Sequence, residues 1–134
     1  MSDAAVQSIA GNLGKLAAGQ IEGITQGGTG NLLVMAANQA NLPIDVLLAN
    51  GLDESNTNKL LKGMSEYLRE ITDMSSDNLV VQQQIANVYG LTAADLRAIA
   101  NMYADDSLTA NNIYKSMGNY SDAINQLENM ANSM

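Results

Sequence analysis

The residue types that most enzymes use for acid–base, covalent and metal chemistry are missing from this chain. It has no His and no Cys, which excludes imidazole bases, thiolate nucleophiles and thiolate-ligated metals. Ser, Thr, Tyr and Lys are present, but none of them lies in a motif that activates a nucleophile. We therefore expect a non-enzymatic protein without catalytic residues, cofactor or metal.

A glycine-rich stretch at residues 27–30 (Gly-Gly-Thr-Gly) has the composition of turns that direct backbone N–H groups at a phosphate. The phosphate loop also requires a Lys followed by Ser or Thr, and this chain has Leu32 and Leu33 in that region. The dinucleotide-binding loop requires a preceding strand, which the sequence does not predict. We expect the stretch to be a turn between two helices.

Two groups of carboxylates could bind a divalent cation. Residues 53–57 begin like a calcium loop, but Asn58 and Met64 stand where the turn Gly and the terminal Glu are required. Glu66 and Glu70 would share a helix face, yet basic residues lie nearby and no His is available to complete a site. Both groups are expected to be solvated surface.

Residues 85–99 (Ile-Ala-x-x-x-Gly-Leu-Thr-x-x-x-Leu-x-x-Ile) have apolar residues, a small Ala and a turn Gly at the offsets of a helix-turn-helix, and they resemble that motif of DNA-binding regulators. The resemblance implies a recognition helix from Ala93, with Asp95 and Arg97 among its outward residues. A single Arg beside Ala and Asp cannot neutralise several phosphates and also read bases. We favour simple helix packing at a glycine turn. A DNA-associated regulator that binds through Arg97 is the alternative.

The first helix carries a heavy load of glycine. Each Gly inside a helix costs about 1 kcal/mol relative to Ala, so packing has to recover that free energy. Small residues recur at four-residue spacing and would let another helix approach closely. We expect this face to contact a partner chain or a second copy, and a flexible N-terminal arm is the alternative. The residues of the expected contact face are Ala10, Gly14, Ala18, Gly19 and Gly23.

Apolar residues recur at helical spacing along the chain, and no period-2 pattern predicts a strand. The first helix is expected over residues 2–26, with Ser2 as its N-cap. The second is expected over residues 31–40. A third, short helix is expected over residues 43–50, because Pro is tolerated at the first helical position.

The plainest amphipathic helix is expected to begin at Ser55 or Thr57 and to keep an apolar stripe as far as Met74. Lys62 and Glu66 lie four residues apart off that stripe and can form a weak ion pair. This helix should therefore present one face to the core and the other to solvent.

Capping signals define the next two helices. The first of them is expected to follow a cap at residues 75–76 and to stop at Gly90. Thr92 and Asp95 form an acidic variant of the capping box, which opens a helix that ends near Ala104. The boundary between the two helices is thus expected at residues 90–92.

Two last helices should follow Thr109 and Ser121, on either side of Gly118. Together these elements predict an all-α protein, a compact bundle of about seven or eight short helices with a Gly-rich N-terminal helix. Residues 1–30 would be that helix or arm, which could contact a partner, and residues 31–134 a single helical domain.

Composition limits the location and the partners. The chain has 134 residues and a net charge of −8, which would repel a phosphate backbone. No stretch approaches the roughly 18 apolar residues that span a bilayer, and no secretory signal is recognisable. We expect a chain made in the cytoplasm that contacts other protein subunits, including its own copies, without a membrane span and without nucleic acid.

Residues 82–99, which begin Gln-Gln-Gln-Ile-Ala-Asn-Val-Tyr-Gly, are similar to helical segments of bacteriophage tail tape-measure proteins, which are rich in Gln, Asn and Ala and poor in Cys. Residues 24–30 look like a turn that recurs in tail-fibre proteins. The resemblance implies a structural or assembly component that ends in a phage virion and acts through packing surfaces. An acidic module that binds a host protein is a further alternative.

Overall fold

The computed structural model describes residues 2–22, 24, 28–73 and 78–101 of the chain. Within these residues it has six α-helices and no strand, so the all-α prediction is confirmed. Six helices are described where seven or eight were expected for the whole chain, and the two expected after Thr109 and Ser121 lie outside the described residues. The helices are α1 (Asp3–Ala17), α2 (Gly28–Gln39), α3 (Ile44–Asn50), α4 (Glu54–Ile71), α5 (Leu79–Val88) and α6 (Ala93–Ala100).

The longest helix, α4, lies at the centre of the packing. It packs against both α2 and α6, and α1 packs against α2. The stripe predicted on α4 is buried, with Leu60, Met64 and Leu68 almost inaccessible, which confirms its amphipathic pattern. Each such side chain contributes about 1.5–3 kcal/mol on burial, so α4 organises the core. Met74, at the expected end of the stripe, lies outside the described residues.

The first helix is shorter than expected. It ends at Ala17 instead of near Gln26. Its N-cap is Ser2 as predicted, because the Ser2 Oγ accepts a hydrogen bond from the N–H of Ala5. Apolar side chains of α1 belong to the same core as α2 and α4, so the described part of the N-terminal region is not a separate arm.

A glycine ends α1 early. Gly19 has a φ of +73°, a left-handed conformation that Gly adopts without steric cost. The N–H of Gly19 donates to the carbonyl of Leu16, and the N–H of Gln20 donates to that of Lys15. These two bonds satisfy carbonyls that the helix leaves unpaired, in the arrangement of a Schellman cap. Gly19 therefore stops the helix and does not extend its surface.

The glycine stretch at residues 27–30 is not a turn between helices in its described part. Gly28, Thr29 and Gly30 form the first turn of α2, ahead of the expected start at Asn31. Thr29 and Gly30 are buried, and a Cβ added to Gly30 would collide with the carbonyl oxygen of Ile24. Close packing therefore holds these residues in a helix despite their low helix propensity.

The boundaries of α3 and α5 are close to their expected places. α3 begins at Ile44, one residue later than expected, with Pro43 as its N-cap instead of its first helical residue, and it ends at Asn50 as predicted. The N-cap of α5 is Asn78, whose side chain accepts from the N–H of Val81, and the caps expected at residues 75–76 lie outside the described residues. The stop at Gly90 is confirmed by its φ of +68°, which favours Gly.

The capping box that opens α6 is confirmed. The Oγ1 of Thr92 accepts from the N–H of Asp95 at 3.1 Å, and the Asp95 carboxylate accepts from the N–H of Thr92 at 3.4 Å. α6 ends at Ala100, before the expected Ala104, and residues 102–134 lie outside the described part of the chain.

Candidate interaction surface

The small residues expected to form one contact face are divided by the fold. Ala10 and Gly14 lie on α1 and are buried within the chain itself. Ala18 and Gly19 follow the end of α1 and are exposed, and a Cβ added to Gly19 would meet nothing within 4 Å. Gly23 lies outside the described residues. The described members therefore do not form a continuous open face.

The close approach of two helices occurs elsewhere, between α2 and α4. A Cβ added to Gly63 would collide with the carbonyl oxygen of Ala36 and would lie 3.2 Å from the Cβ of Ala40. The sequence signal for this contact was available, because Gly63 lies beside the apolar stripe of α4, and Ala36 on α2 is followed four residues later by Ala40, just past the end of that helix. The sequence analysis did not predict this contact, because it placed the close helix contact on the first helix, which holds more glycine.

Arg97, the candidate DNA contact, is engaged inside the fold. Its Nε donates to the Oε1 of Gln82 at 2.8 Å. Gln82 is only 1% exposed, and its Nε2 donates to the carbonyl of Asp73 at 3.3 Å. Arg97 therefore completes a polar connection between the end of α4, α5 and α6. This geometry does not favour a base-reading role.

Asp95 was expected on the outward face of a recognition helix, and that placement is wrong. It is 3% exposed, and its carboxylate accepts from the N–H of Ser2 at 2.7 Å and from the Ser2 Oγ at 2.9 Å. Burial alone would raise the pKa of Asp95, but the hydrogen bonds from Ser2 and Thr92 outweigh it and hold the pKa below its usual value. The carboxylate thus joins the start of α1 to the start of α6.

A pair of tyrosines attaches the end of α5 to α4. The hydroxyl groups of Tyr67 and Tyr89 are 3.0 Å apart, and their rings meet edge to face. Burial, together with the hydrogen bond to Tyr67 and its charge, raises the pKa of Tyr89 to about 12. Gln82 and Tyr89 therefore add polar contacts to the apolar packing of Ala86 and Ile85 on the core.

The outer side of α5, in contrast, carries exposed apolar side chains. Four apolar side chains of this helix are exposed, and Val80 and Val88 are 67% and 65% accessible. A helix on the surface of a globular protein normally presents its polar residues to solvent and its apolar residues to the core. On α5 a glutamine is buried and valines are exposed. We call the exposed set the α5 apolar face; it comprises Leu79, Val80, Val81 and Val88.

The α5 apolar face continues into a shallow groove of about 420 Å³ at the start of α6. One wall is formed by Leu79 and Val80, and the others by Gln83, Gln84 and Ala93. The N–H of Ala93 donates to the Oε1 of Gln83 at 3.3 Å, which holds the two helices together beside the groove. No residue of α5 is charged, so a partner would not have to desolvate a charge to cover it.

The acidic candidates behave as surface residues. Lys62 and Glu66 form the predicted pair at 3.9 Å, and both side chains are largely in solvent, where such pairs contribute at most about 1 kcal/mol. Glu70 accepts from the Nε2 of Gln39. Among the described residues no group of three metal-ligating side chains lies close enough to hold an ion.

None of the described helices is by itself long and apolar enough to cross a membrane. α2 and α3 pass that test only when taken together, and the pair is bent by 88°.

Comparison with protein-family models, with curated proteins and with solved structures finds no match to this chain.

Proposed function

We propose that this chain is a non-enzymatic structural component that assembles with other protein subunits, including its own copies, through the α5 apolar face. The single observation that carries the proposal is the inversion of α5, which buries Gln82 and exposes Val80 and Val88. Contiguous exposed apolar patches are characteristic of protein–protein contacts, and Leu79, Val80 and Val81 follow one another at the exposed start of this helix.

The attachment of α5 supports this role. The helix is held from behind by the bonds of Gln82 to Arg97 and Asp73, and by the contact of Tyr89 with Tyr67. Together with Ala86 and Ile85, which pack on the core, these contacts hold the inner side of α5 and leave Leu79, Val80, Val81 and Val88 exposed. A rigid helix that keeps its valines free loses little conformational entropy when another surface covers them.

The finer proposal is that the assembly is a bacteriophage virion, in its tail. Residues 82–99, which resemble tape-measure segments, include most of α5 and nearly all of α6, the helices that border the groove. The chain would then be made in the cytoplasm and end in the particle. Tail or capsid genes beside the gene for this chain would support the placement, and unrelated neighbours would count against it.

Self-association of the purified chain tests the proposal. The test compares the chain with a Val80→Gln/Val88→Gln variant and with Val46→Gln, which changes an exposed valine on α3, by sedimentation velocity over a dilution series. Glutamine is a good helix former, so circular dichroism should be unchanged. Losing the burial of two valines, at about 1.5 kcal/mol or more each, corresponds to an association weaker by about 100-fold or more.

The control variant Val46→Gln should associate like the parent chain. If the double variant associates as strongly as the parent, the α5 apolar face is not the contact. If the parent chain stays monomeric at every concentration, association with its own copies is ruled out as part of the function.

A further inference from the structure

Asn50 and Gly51 form the one Asn-Gly pair in the sequence. In such a pair the backbone nitrogen of the glycine can attack the side-chain amide of the asparagine, because no Cβ crowds the approach and the glycine backbone rotates freely. The product is a cyclic imide, which water opens to an acid. Every other Asn of this chain precedes a residue with a side chain, which hinders the same reaction.

The structure places this pair on the surface, at the end of the shortest described helix. Asn50 is the last residue of α3 and is exposed. Gly51 has a φ of +78°, and a Cβ added to it would meet nothing within 4 Å. The surroundings of Gly51 therefore leave room for the Asn50 side chain to fold back on it.

One hydrogen bond opposes the reaction. The N–H of Gly51 donates to the carbonyl of Leu47 at 2.8 Å, so the nitrogen cannot attack the Asn50 side chain while the last turn of α3 is intact. α3 has 7 residues, and its N-cap, Pro43, makes no side-chain capping bond. Helices this short are marginal without tertiary packing. Leu47 is buried and anchors the middle of α3, whereas its exposed end can fray without unfolding the core.

We propose that Asn50 is a site of spontaneous deamidation, opened by fraying of the last turn of α3. The Gly51 nitrogen gives its proton to water and forms a bond to the Cγ of Asn50. The bond between this Cγ and Nδ2 breaks, and Nδ2 leaves with a proton as ammonia. Water then opens the imide: attack at Cγ gives aspartate, and attack at the backbone carbonyl carbon gives isoaspartate. Water is the one co-reactant that the sequence of steps requires.

The products change the junction between α3 and α4. Either product adds a carboxylate at the C-terminal end of α3, where the helix dipole disfavours negative charge. Isoaspartate also routes the main chain through the side-chain carbons and so lengthens the connection to α4. The carbonyl of Gly51 accepts from the Nδ2 of Asn56, near the start of α4, at 3.2 Å, and a lengthened chain displaces that acceptor. The reaction therefore loosens this junction with time, and it involves neither α5 nor a partner.

The chain contains a matched control for the test. Asn41 is exposed, follows the end of α2 and has a φ of +56°, but Leu42 comes after it. The full folded chain is incubated at neutral and at mildly alkaline pH, and peptide mass spectrometry follows the conversion of amide to acid at each Asn. We expect Asn50 to convert faster than Asn41 by about tenfold or more. Equal rates at the two positions would overturn the proposal.

Two further comparisons test the opening of α3. In urea, where the bond from Gly51 to Leu47 is absent, Asn50 should convert faster than in the folded chain by about fivefold or more. Equal rates with and without urea would show that this bond does not restrain the reaction. Gly63→Ala disturbs the contact of α4 with α2 and should leave the folded-state rate at Asn50 unchanged. A faster rate in that variant would mean that the whole core must unfold first, and it would overturn the local opening.

Discussion

At the scale of single residues, Asp95 does more than cap its own helix. It accepts hydrogen bonds from Ser2 and Thr92, and its pKa is lowered in the folded chain. An acid with a lowered pKa stabilises the fold above its unfolded pKa of about 3.9, and that contribution is lost as the pH falls through the folded pKa. Stability should therefore fall on acidification.

The variant Asp95→Asn tests this contribution. Its amide Nδ2 cannot accept the bonds that the carboxylate accepts, so at pH 7 the free energy of unfolding should drop by about 1–3 kcal/mol. Urea unfolding of both chains at several pH values between 7 and 3 measures the difference. It should shrink toward low pH, and a difference independent of pH would contradict the role of the charge.

Two glycines give opposite predictions for the same substitution. Gly63→Ala pushes a Cβ into the carbonyl of Ala36, and overpacking of this kind costs about 1–3 kcal/mol. Gly11→Ala, inside α1, meets nothing within 4 Å and should stabilise the helix by about 0.5–1 kcal/mol. Thermal unfolding should show a lower Tm for the first and a higher Tm for the second. Similar shifts for both would mean that α2 and α4 can move apart.

At the scale of elements, the position of α5 depends on one buried polar connection. Arg97→Ala removes the donor to the Oε1 of Gln82 and leaves a buried acceptor with one bond fewer. Such a loss costs about 1–3 kcal/mol. Arg69→Ala, on an exposed position of α4, is the matched control and should cost less than about 0.5 kcal/mol.

Chemical denaturation measures both arginine variants. Equal stability of Arg97→Ala and Arg69→Ala would mean that the bond to Gln82 contributes nothing to the placement of α5. Loss of DNA affinity without loss of stability in Arg97→Ala would instead favour the DNA-associated regulator, for which Arg97 would have to be free to reach a base.

Elements defined by neighbouring residues were predictable from the sequence. The capping box of Thr92 and Asp95, the stop at Gly90 and the stripe of α4 involve contacts within a few positions along the chain. The end of α1 was not predictable from periodicity, because a glycine inside a helix and one that ends it in the left-handed conformation look alike in sequence. Gly19 is of the second kind.

The candidate surface was less predictable than the helices that form it. The apolar run at residues 79–81 is visible in the sequence, and the natural expectation is that it enters the core. Gln82 takes the inner position because Arg97 and the carbonyl of Asp73 satisfy its amide. Those partners lie 15 and 9 positions away, so a local pattern cannot reveal which side of α5 is buried.

At the scale of the whole molecule, a small helical core carries at its edge one helix with exposed apolar side chains. α4 organises the core with α2 and α6, and α5 lies at its edge, held by polar anchors. Small residues allow close helix packing inside the chain, at Gly63, while valine and leucine are exposed on α5.

The most direct measurement is site-specific photocrosslinking at concentrations where the chain associates. A photoreactive residue replaces Val80 on the α5 apolar face, or Lys62 on the solvent side of α4, whose side chain is 62% exposed. We expect adducts of two chains that increase with concentration from position 80 and remain at background from position 62. Equal adduct yields from the two positions would contradict it.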